Sequence, residues 1–127
     1  MIKLTAAPEP VWIDIVPGVR VQLRPWSTPV LAAGQAAASA AVAAGHSADV
    51  GVVAFTMGVA RYAALAWEGV GDEAGEPLDL TPAALQLLLE QSPEAFRAID
   101  RDYVTPSLER SAEKNASAPS PDGTSPA

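Results

Sequence analysis

The first pattern along the chain is an alternation of apolar and polar residues over positions 11–24. The stretches VWIDIV and VRVQLR each place an apolar residue at every second position, which is the period of a β-strand with one buried face. Between them, Pro17 and Gly18 suit the central positions of a type II turn, because Pro presets a negative φ and Gly accepts a positive one. Residues 11–24 are therefore predicted to form a β-hairpin whose apolar face needs a cover.

The polar side of the second strand carries Arg20, Gln22 and Arg24. One interpretation of this row is a docking surface for an acidic partner. The other is a solvent-exposed strand face beside Trp12 and Asp14. We favour the exposed face, because exposed charge pairs contribute little on their own.

Beyond residue 27 the apolar residues take the spacing of helices. An Ala-rich run from Pro29 predicts a first helix that ends at Gly45, a residue suited to a helix C-cap. A second helix is predicted from about Ala48 to Glu68, and it is apolar nearly all round, which is typical of the central and most buried helix. Its apolar stripes are Phe55, Val59, Tyr62 and Ala66 on one side and Val53, Met57, Ala60 and Ala64 on the other.

The two long apolar runs raise the questions of a membrane span and of a contact between copies. The piece Val50–Ala60 has 11 residues before Arg61, fewer than the ~20 that a spanning helix needs, so no membrane contact is predicted. Gly34, Ala38 and Ala41 would let helices approach closely, either within the chain or in a homo-oligomer. We favour packing within the chain, and the homo-oligomer stays as the alternative.

Two further helices are predicted after an acidic, glycine-rich turn at positions 68–81. Apolar residues at spacings of three and four give each helix one buried face. The last helix should bend or end near Thr105-Pro106, because proline lacks an N–H and clashes with the preceding turn. The two buried faces consist of Leu85, Leu88 and Leu89 in the third helix and of Phe96, Ile99 and Tyr103 in the fourth.

Three pairs of Ser or Thr followed by Pro mark predicted helix starts. The hydroxyl group can cap the helix, and proline suits the first helical position because an N–H there would be unpaired in any case. The three pairs are Thr28-Pro29, Thr81-Pro82 and Ser92-Pro93.

The last part of the chain is rich in Ser, Ala, Pro, Gly and Asp. Such a composition buries too little apolar surface to offset the entropy lost on ordering. The sequence thus predicts an α+β fold, mainly α, in which an N-terminal β-hairpin packs on about four helices. Residues 1–10 are assigned to a leader, 11–110 to a single helical domain that includes the hairpin, and 111–127 to a disordered C-terminal tail.

Charge and cysteine content exclude several classes of partner. The 127 residues carry a formal net charge of -7, and a surface that neutralises phosphates needs clustered Lys and Arg, so nucleic acid is not a predicted partner. The absence of cysteine excludes disulfides, thiolate nucleophiles and Cys-ligated zinc and fits a reducing cytoplasm. The start MIKLTAAPEP lacks the long apolar run of a secretory signal, so the chain is expected to stay inside the cell.

Candidate catalytic and metal-binding residues are few. The single histidine, His46, lies beside Ser47 and Asp49, and residues so close along the chain are typical of a polar helix start. The acidic residues of positions 68–79 lack the alternate spacing of a calcium-binding EF-hand loop. We therefore predict no enzymatic activity, no metal site and no cofactor.

Several short motifs follow one another in the second half of the chain. The turn WEGV after a helix, the loop DEAGEP, the run LTPAALQLLL, an aromatic helix ending in Tyr103 and the polar segment KNAS occur in this order. Together they resemble the C-terminal half of the tail assembly chaperones of long-tailed bacteriophages and prophages. An N-terminal hairpin before the helices is also what the resemblance implies. The Ala-rich stretch Ala32–Ala44 departs from that family's pattern.

The resemblance implies a non-catalytic chaperone that binds the tape measure protein while the tail tube polymerises around it, with the tail tube protein as a second partner. Such a protein acts in the cytoplasm of the bacterial host and is absent from the mature virion. A tape measure chain presents long apolar helical stripes, so the contact surface is predicted in the groove between the second helix and the Leu-rich helix. The candidate partner-binding residues are Phe55, Tyr62, Trp67, Leu88 and Phe96, although core packing is the better explanation for each one alone.

A rare pair of residues near the C-terminus suggests a signal in the gene. Lys114 is one of two lysines and Asn115 is the single asparagine. The codons GAA-AAA-AAC for Glu113, Lys114 and Asn115 would contain the slippery run A-AAA-AAC, and the resemblance implies that many of these chaperones have a longer form made by ribosomal frameshifting. The alternative is an ordinary charge and a helix-terminating residue near a helix end.

Two other functions compete with the chaperone. One is a minor structural head–tail connector or tail-completion protein, and the other is a small acidic bacterial adaptor or antitoxin that folds on its partner.

Overall fold

A computed structural model describes residues 1–4 and 8–117, and for residues 114–117 it describes the backbone alone. The fold is α+β and mainly α, as predicted, with an N-terminal antiparallel sheet and a larger helical part. The elements are β1 (Val11–Val16), β2 (Val19–Leu23), α1 (Thr28–Ala43), α2 (Ala48–Ala63), β3 (Ala64–Glu68), α3 (Pro82–Gln91), α4 (Pro93–Ile99), a π-helical turn (Asp100–Val104) and α5 (Thr105–Ser117).

The predicted β-hairpin is confirmed. β1 and β2 pair antiparallel, with Val16 opposite Val19 across the Pro17-Gly18 turn. Gly18 has a φ of 80°, the positive value that the third residue of a type II turn requires. The apolar side of the hairpin, which includes Val21, faces the core.

The sheet has a third strand that the sequence analysis assigned to a helix. The prediction that the second helix continues to Glu68 is wrong, because α2 ends at Ala63 and the next five residues form β3. β3 pairs antiparallel with β2, placing Trp67 opposite Val21. The free edge of β2 offers backbone donors and acceptors, and pairing with them outweighs the helix propensity of this segment, which is high because it contains two alanines, a leucine and a glutamate.

Helices α1 and α2 form an antiparallel pair with a very short separation. A Cβ atom placed on Gly58 would lie 2.5 Å from the Cβ of Ala37, and one placed on Gly34 would lie 2.7 Å from a methyl group of Val59. Only glycine therefore allows the helices to approach this closely. Of the three small residues named from the sequence, Gly34 lies at this contact within the chain.

Two of the three predicted helix caps are confirmed. The Thr81 hydroxyl accepts a hydrogen bond from the Ala84 N–H at 3.0 Å, and the Ser92 hydroxyl accepts one from the Ala95 N–H at 3.2 Å. At the first pair, the cap position is Ser27 rather than Thr28, and in the described part of the chain its side chain makes no capping hydrogen bond.

The last helical segment changes its geometry just before Pro106. α4, the π-helical turn and α5 are continuous, and the Thr105 N–H donates to the Asp100 carbonyl five residues earlier. The wider turn provides room before a proline that would clash with an α-helical turn. The helix then continues to Ser117, so it extends past the predicted start of the tail at residue 111. Glu109, Arg110 and Ala112 favour a helix, and the rest of the predicted tail, residues 118–127, lies outside the described residues.

The core lies between the inner face of the sheet and the helices, with side chains from α1 to α4 and from the π-helical turn. Among the described residues, no helix has both the length and the apolar character that a membrane crossing requires. The largest fully buried side chains are Leu23, Leu85, Ile99, Val21, Val30, Val59 and Val104.

Candidate protein-binding site

The α1–α2 pair extends beyond the core and leaves apolar side chains in solvent. Val42 on α1 is 56% exposed, and Val52 on α2 is 69% exposed. Val50 and Val53 are also exposed on α2, so its first two turns differ from the prediction of a central and most buried helix. The C-terminal part of α2 agrees with the prediction, since Val59, Ala60 and Ala63 are buried.

The exposed part of the helix pair is almost free of charge. Between Thr28 and Ala60 the sequence contains one charged residue, Asp49. Solvent-exposed helix faces usually carry charged and polar residues. An uncharged, apolar pair of helices in a chain of net charge -7 therefore indicates a surface that is covered by something else.

A groove of about 540 Å³ runs between the inner side of this helix pair and the start of α5. Its residues are mainly aliphatic or aromatic, with Gln35 and Thr56 as the polar members. We call it the hairpin groove, after the helical hairpin that α1 and α2 form. It is lined by Leu31, Gln35, Ala38 and Val42 of α1, by Ala48, Gly51, Val52, Phe55 and Thr56 of α2, and by Leu108 of α5.

The floor of the hairpin groove is fixed by close packing. The ring of Phe55 lies against Gly34, where an added Cβ would come within 2.8 Å of it. At the inner end, the buried Thr56 hydroxyl donates to a carboxylate oxygen of Asp100 at 3.1 Å. This hydrogen bond joins α2 to the π-helical turn and satisfies the polar group that the groove would otherwise leave buried and unpaired.

The five residues predicted to bind a partner do not come together. Phe55 lines the hairpin groove. Trp67, Leu88 and Phe96 are partly buried against the core, as the core-packing interpretation states. Tyr62 is 42% exposed on another part of the surface, under the Arg24 guanidinium.

The groove predicted between α2 and the Leu-rich helix α3 is small. A cavity of about 140 Å³ lies there, lined by residues that include Arg61, Leu65 and Leu85. As far as the described residues show, none of the five predicted residues lines it. Val42, Val52 and Leu108 were not among the predicted site residues. The signal that could have indicated the first two is the absence of charge from Thr28 to Ala60, apart from Asp49.

The arginine row lies on the outer face of the sheet, where Arg20 and Arg24 are engaged by neighbouring residues of the chain. The Arg20 guanidinium stacks over the Trp12 ring at 4.2 Å and its Nε lies 2.8 Å from Oε1 of Glu68. This hydrogen bond lowers the pKa of the Glu68 carboxyl and raises the pKa of Arg20. Arg24 donates from Nε to the Tyr62 carbonyl at 3.0 Å.

The acidic loop after β3 is held by its own hydrogen bonds. A carboxylate oxygen of Asp72 accepts from the N–H groups of Ala74 and Glu76, and Trp67 Nε1 donates to the Leu78 carbonyl at 2.7 Å. In the described ranges there is no group of three or more His, Asp or Glu side chains able to hold a metal ion.

The residues of the proposed frameshift, Glu113, Lys114 and Asn115, lie within α5. They fall in residues 111–127, the predicted disordered tail, whose first seven residues are helical.

Protein families, curated protein sequences and solved structures were compared with this chain, and none of them matches it. The resemblance to tail assembly chaperones therefore stays a prediction from the sequence motifs.

Proposed function

We propose that this chain is a non-catalytic chaperone that binds apolar helices of a partner protein in the hairpin groove. The observation that carries the proposal is the groove itself, which is uncharged, apolar and about 540 Å³ in volume, on an acidic chain. Concave surfaces of this kind suit helix-in-groove recognition, in which a partner helix lays its apolar face between two helices.

The composition of the groove suits reversible binding. Its aliphatic side chains gain free energy when a partner removes them from water. Its walls offer few polar groups to fix a partner by directed hydrogen bonds, since Gln35 and Thr56 are the polar residues that line it. A surface that binds through burial alone accepts many apolar helices, which is what a chaperone for a long helical protein requires.

The partner in this proposal is the tape measure protein of a long-tailed phage or prophage, with the tail tube protein as a second partner. The support for this choice is the series of motifs from WEGV to KNAS described above. The protein would act in the cytoplasm of the bacterial host and be absent from the mature virion. A head–tail connector would instead be found in purified virions, and an adaptor or antitoxin gene would not lie beside genes for a tail tube and a tape measure protein.

Co-expression tests the proposal. We expect the cognate tape measure protein to remain in the supernatant of lysates when this chain is present and to pellet when it is absent. Val42→Glu should weaken this effect strongly, because it places an uncompensated charge in the apolar groove.

Leu87→Glu is the matched control, because Leu87 is 55% exposed on α3, away from the groove, and Val42 is 56% exposed. It should protect the partner as the unmodified chain does. If the tape measure protein pellets equally with and without this chain, the proposed function is wrong. If both variants protect it equally, the groove is not the binding site.

A further inference from the structure

We infer that in the absence of a partner protein a second copy of this chain covers the hairpin groove, so that the free protein is a twofold-symmetric dimer. The inference concerns the chain alone and does not rest on the proposed function.

The distribution of charge favours a second copy at this place. Of the 15 acidic residues, one, Asp49, lies between Thr28 and Ala60, and none of the eight Lys and Arg residues lies there. Two copies that meet through most other surfaces bring like charges together, which opposes association. Through the α1–α2 pair, each copy brings only Asp49 and the single His46. This is the region where two acidic chains approach each other with the least repulsion.

The shape of the surface favours self-complementary packing. Val42 and Val52 project at the groove with exposed fractions of 56% and 69%. The recess beside them is the groove itself, with a volume of about 540 Å³. One surface thus provides both a ridge and a recess, so in a twofold dimer the ridge of each copy enters the recess of the other. The contact is a four-helix arrangement built from two helix pairs.

The free energy that drives this contact is the removal of aliphatic surface from water. Isolated exposed hydrophobic residues are ordinary in a monomer, but a contiguous uncharged patch indicates an interaction site. Leu108 of α5 and the half-buried Phe55 extend the patch inward from the two valines. A second copy buries these four side chains at once.

Molar mass in solution tests the inference. Sedimentation velocity of the purified full chain over a dilution series should give a dimer at micromolar concentrations that dissociates on dilution. Val52→Glu should raise the dimer dissociation constant by roughly tenfold or more, since a charge enters a contact with no partner for it. Val52 is largely exposed in the single chain, so this variant should fold; its circular dichroism spectrum checks that.

Leu87→Glu adds the same charge at an exposed leucine of α3 and should leave the dimer unchanged. A wild-type chain that stays monomeric across the series overturns the inference, and the groove is then free for a partner helix alone. A dimer that Val52→Glu does not weaken also overturns it, because the contact then lies elsewhere.

Crosslinking locates the contact independently. The chain has no cysteine, so Val52→Cys and Leu87→Cys each introduce a single reactive thiol. A short bis-maleimide should link Val52→Cys into covalent dimers and leave Leu87→Cys mainly monomeric. Equal yields from the two variants would contradict the assigned surface.

Discussion

Tyr103 joins the π-helical turn to the segment that leaves the sheet. Its hydroxyl donates to the Arg24 carbonyl at 2.7 Å, across 79 positions of sequence. Its ring meets Trp26 edge to face, with 5.6 Å between the ring centroids. Burial raises the pKa of the Tyr103 phenol to about 12, and the nearby Arg24 charge acts weakly in the opposite direction.

Replacing Tyr103 with Phe should lower the free energy of unfolding by about 1 kcal/mol near neutral pH, because one partly buried hydrogen bond is lost. The difference should depend on pH. An unfolded tyrosine ionises near pH 10, while the folded group ionises near pH 12, so between these values the unfolded state holds fewer protons and wild-type stability falls.

Denaturant unfolding at a series of pH values checks this expectation. The advantage of wild type over Tyr103→Phe should hold below about pH 10 and decrease progressively toward pH 12. Parallel stability curves for the two proteins would mean that the phenol titrates in the same range in both states.

The local signals at residue scale were sufficient for some features and not for others. The Pro17-Gly18 turn and the Thr81 and Ser92 caps depend on neighbours within four positions, and the sequence predicted them. The Tyr103–Arg24 hydrogen bond depends on two segments far apart in sequence, so nothing in the local pattern could have indicated it.

At the scale of elements, the helix pair α1–α2 depends on glycines at the contact. Gly58→Ala should destabilise the protein by about 1–3 kcal/mol, because the new methyl group meets Ala37 and the Ala33 carbonyl and the helices must move apart. Gly51→Ala is the control on the same helix. Its methyl group would lie 3.4 Å from the nearest atom, a methyl group of Val42, so stability should stay the same or rise by less than about 1 kcal/mol.

Thermal and denaturant unfolding of the two variants measures this difference. Equal stability of Gly58→Ala and Gly51→Ala would contradict the close approach of the helices at Gly58.

The strand β3 shows why one element was assigned wrongly. Its sequence ALAWE continues the apolar pattern of α2 without a proline or glycine to end the helix. The information that makes it a strand lies in β2, more than 40 positions earlier, whose free edge it pairs with. Tertiary pairing of this kind overrides the local helix propensity, and the sequence of the short segment does not indicate it.

At the scale of the whole molecule, the candidate site was predicted less well than the fold. The aromatic residues chosen from the sequence are large apolar side chains, and most of them pack against the core for that reason. Apart from Phe55, the hairpin groove is instead lined mainly by aliphatic residues on elements that come together only in the fold. Leu108, 53 positions from Phe55 along the chain, is the clearest example.

Removing residues 118–127 should leave the thermal midpoint nearly unchanged, because their composition offers no apolar periodicity to pack on the domain. A longer deletion that begins at Ser107 is the control. It removes the buried Ser107 hydroxyl, which donates to the Tyr103 carbonyl at 2.7 Å, and should lower the midpoint by several degrees. A comparable loss from the shorter deletion, measured by circular dichroism, would mean that residues 118–127 contribute to stability.

The helix α5 has a consequence for any domain joined to the end of this chain, whether by a frameshift at Lys114 or by design. Its 13 residues form a stiff helix about 20 Å long rather than a flexible linker. A domain that continues the helix is therefore aimed in one direction. Because each residue turns a helix by about 100°, one residue inserted at the junction would swing that domain to another side of the molecule, whereas a flexible linker would absorb the change.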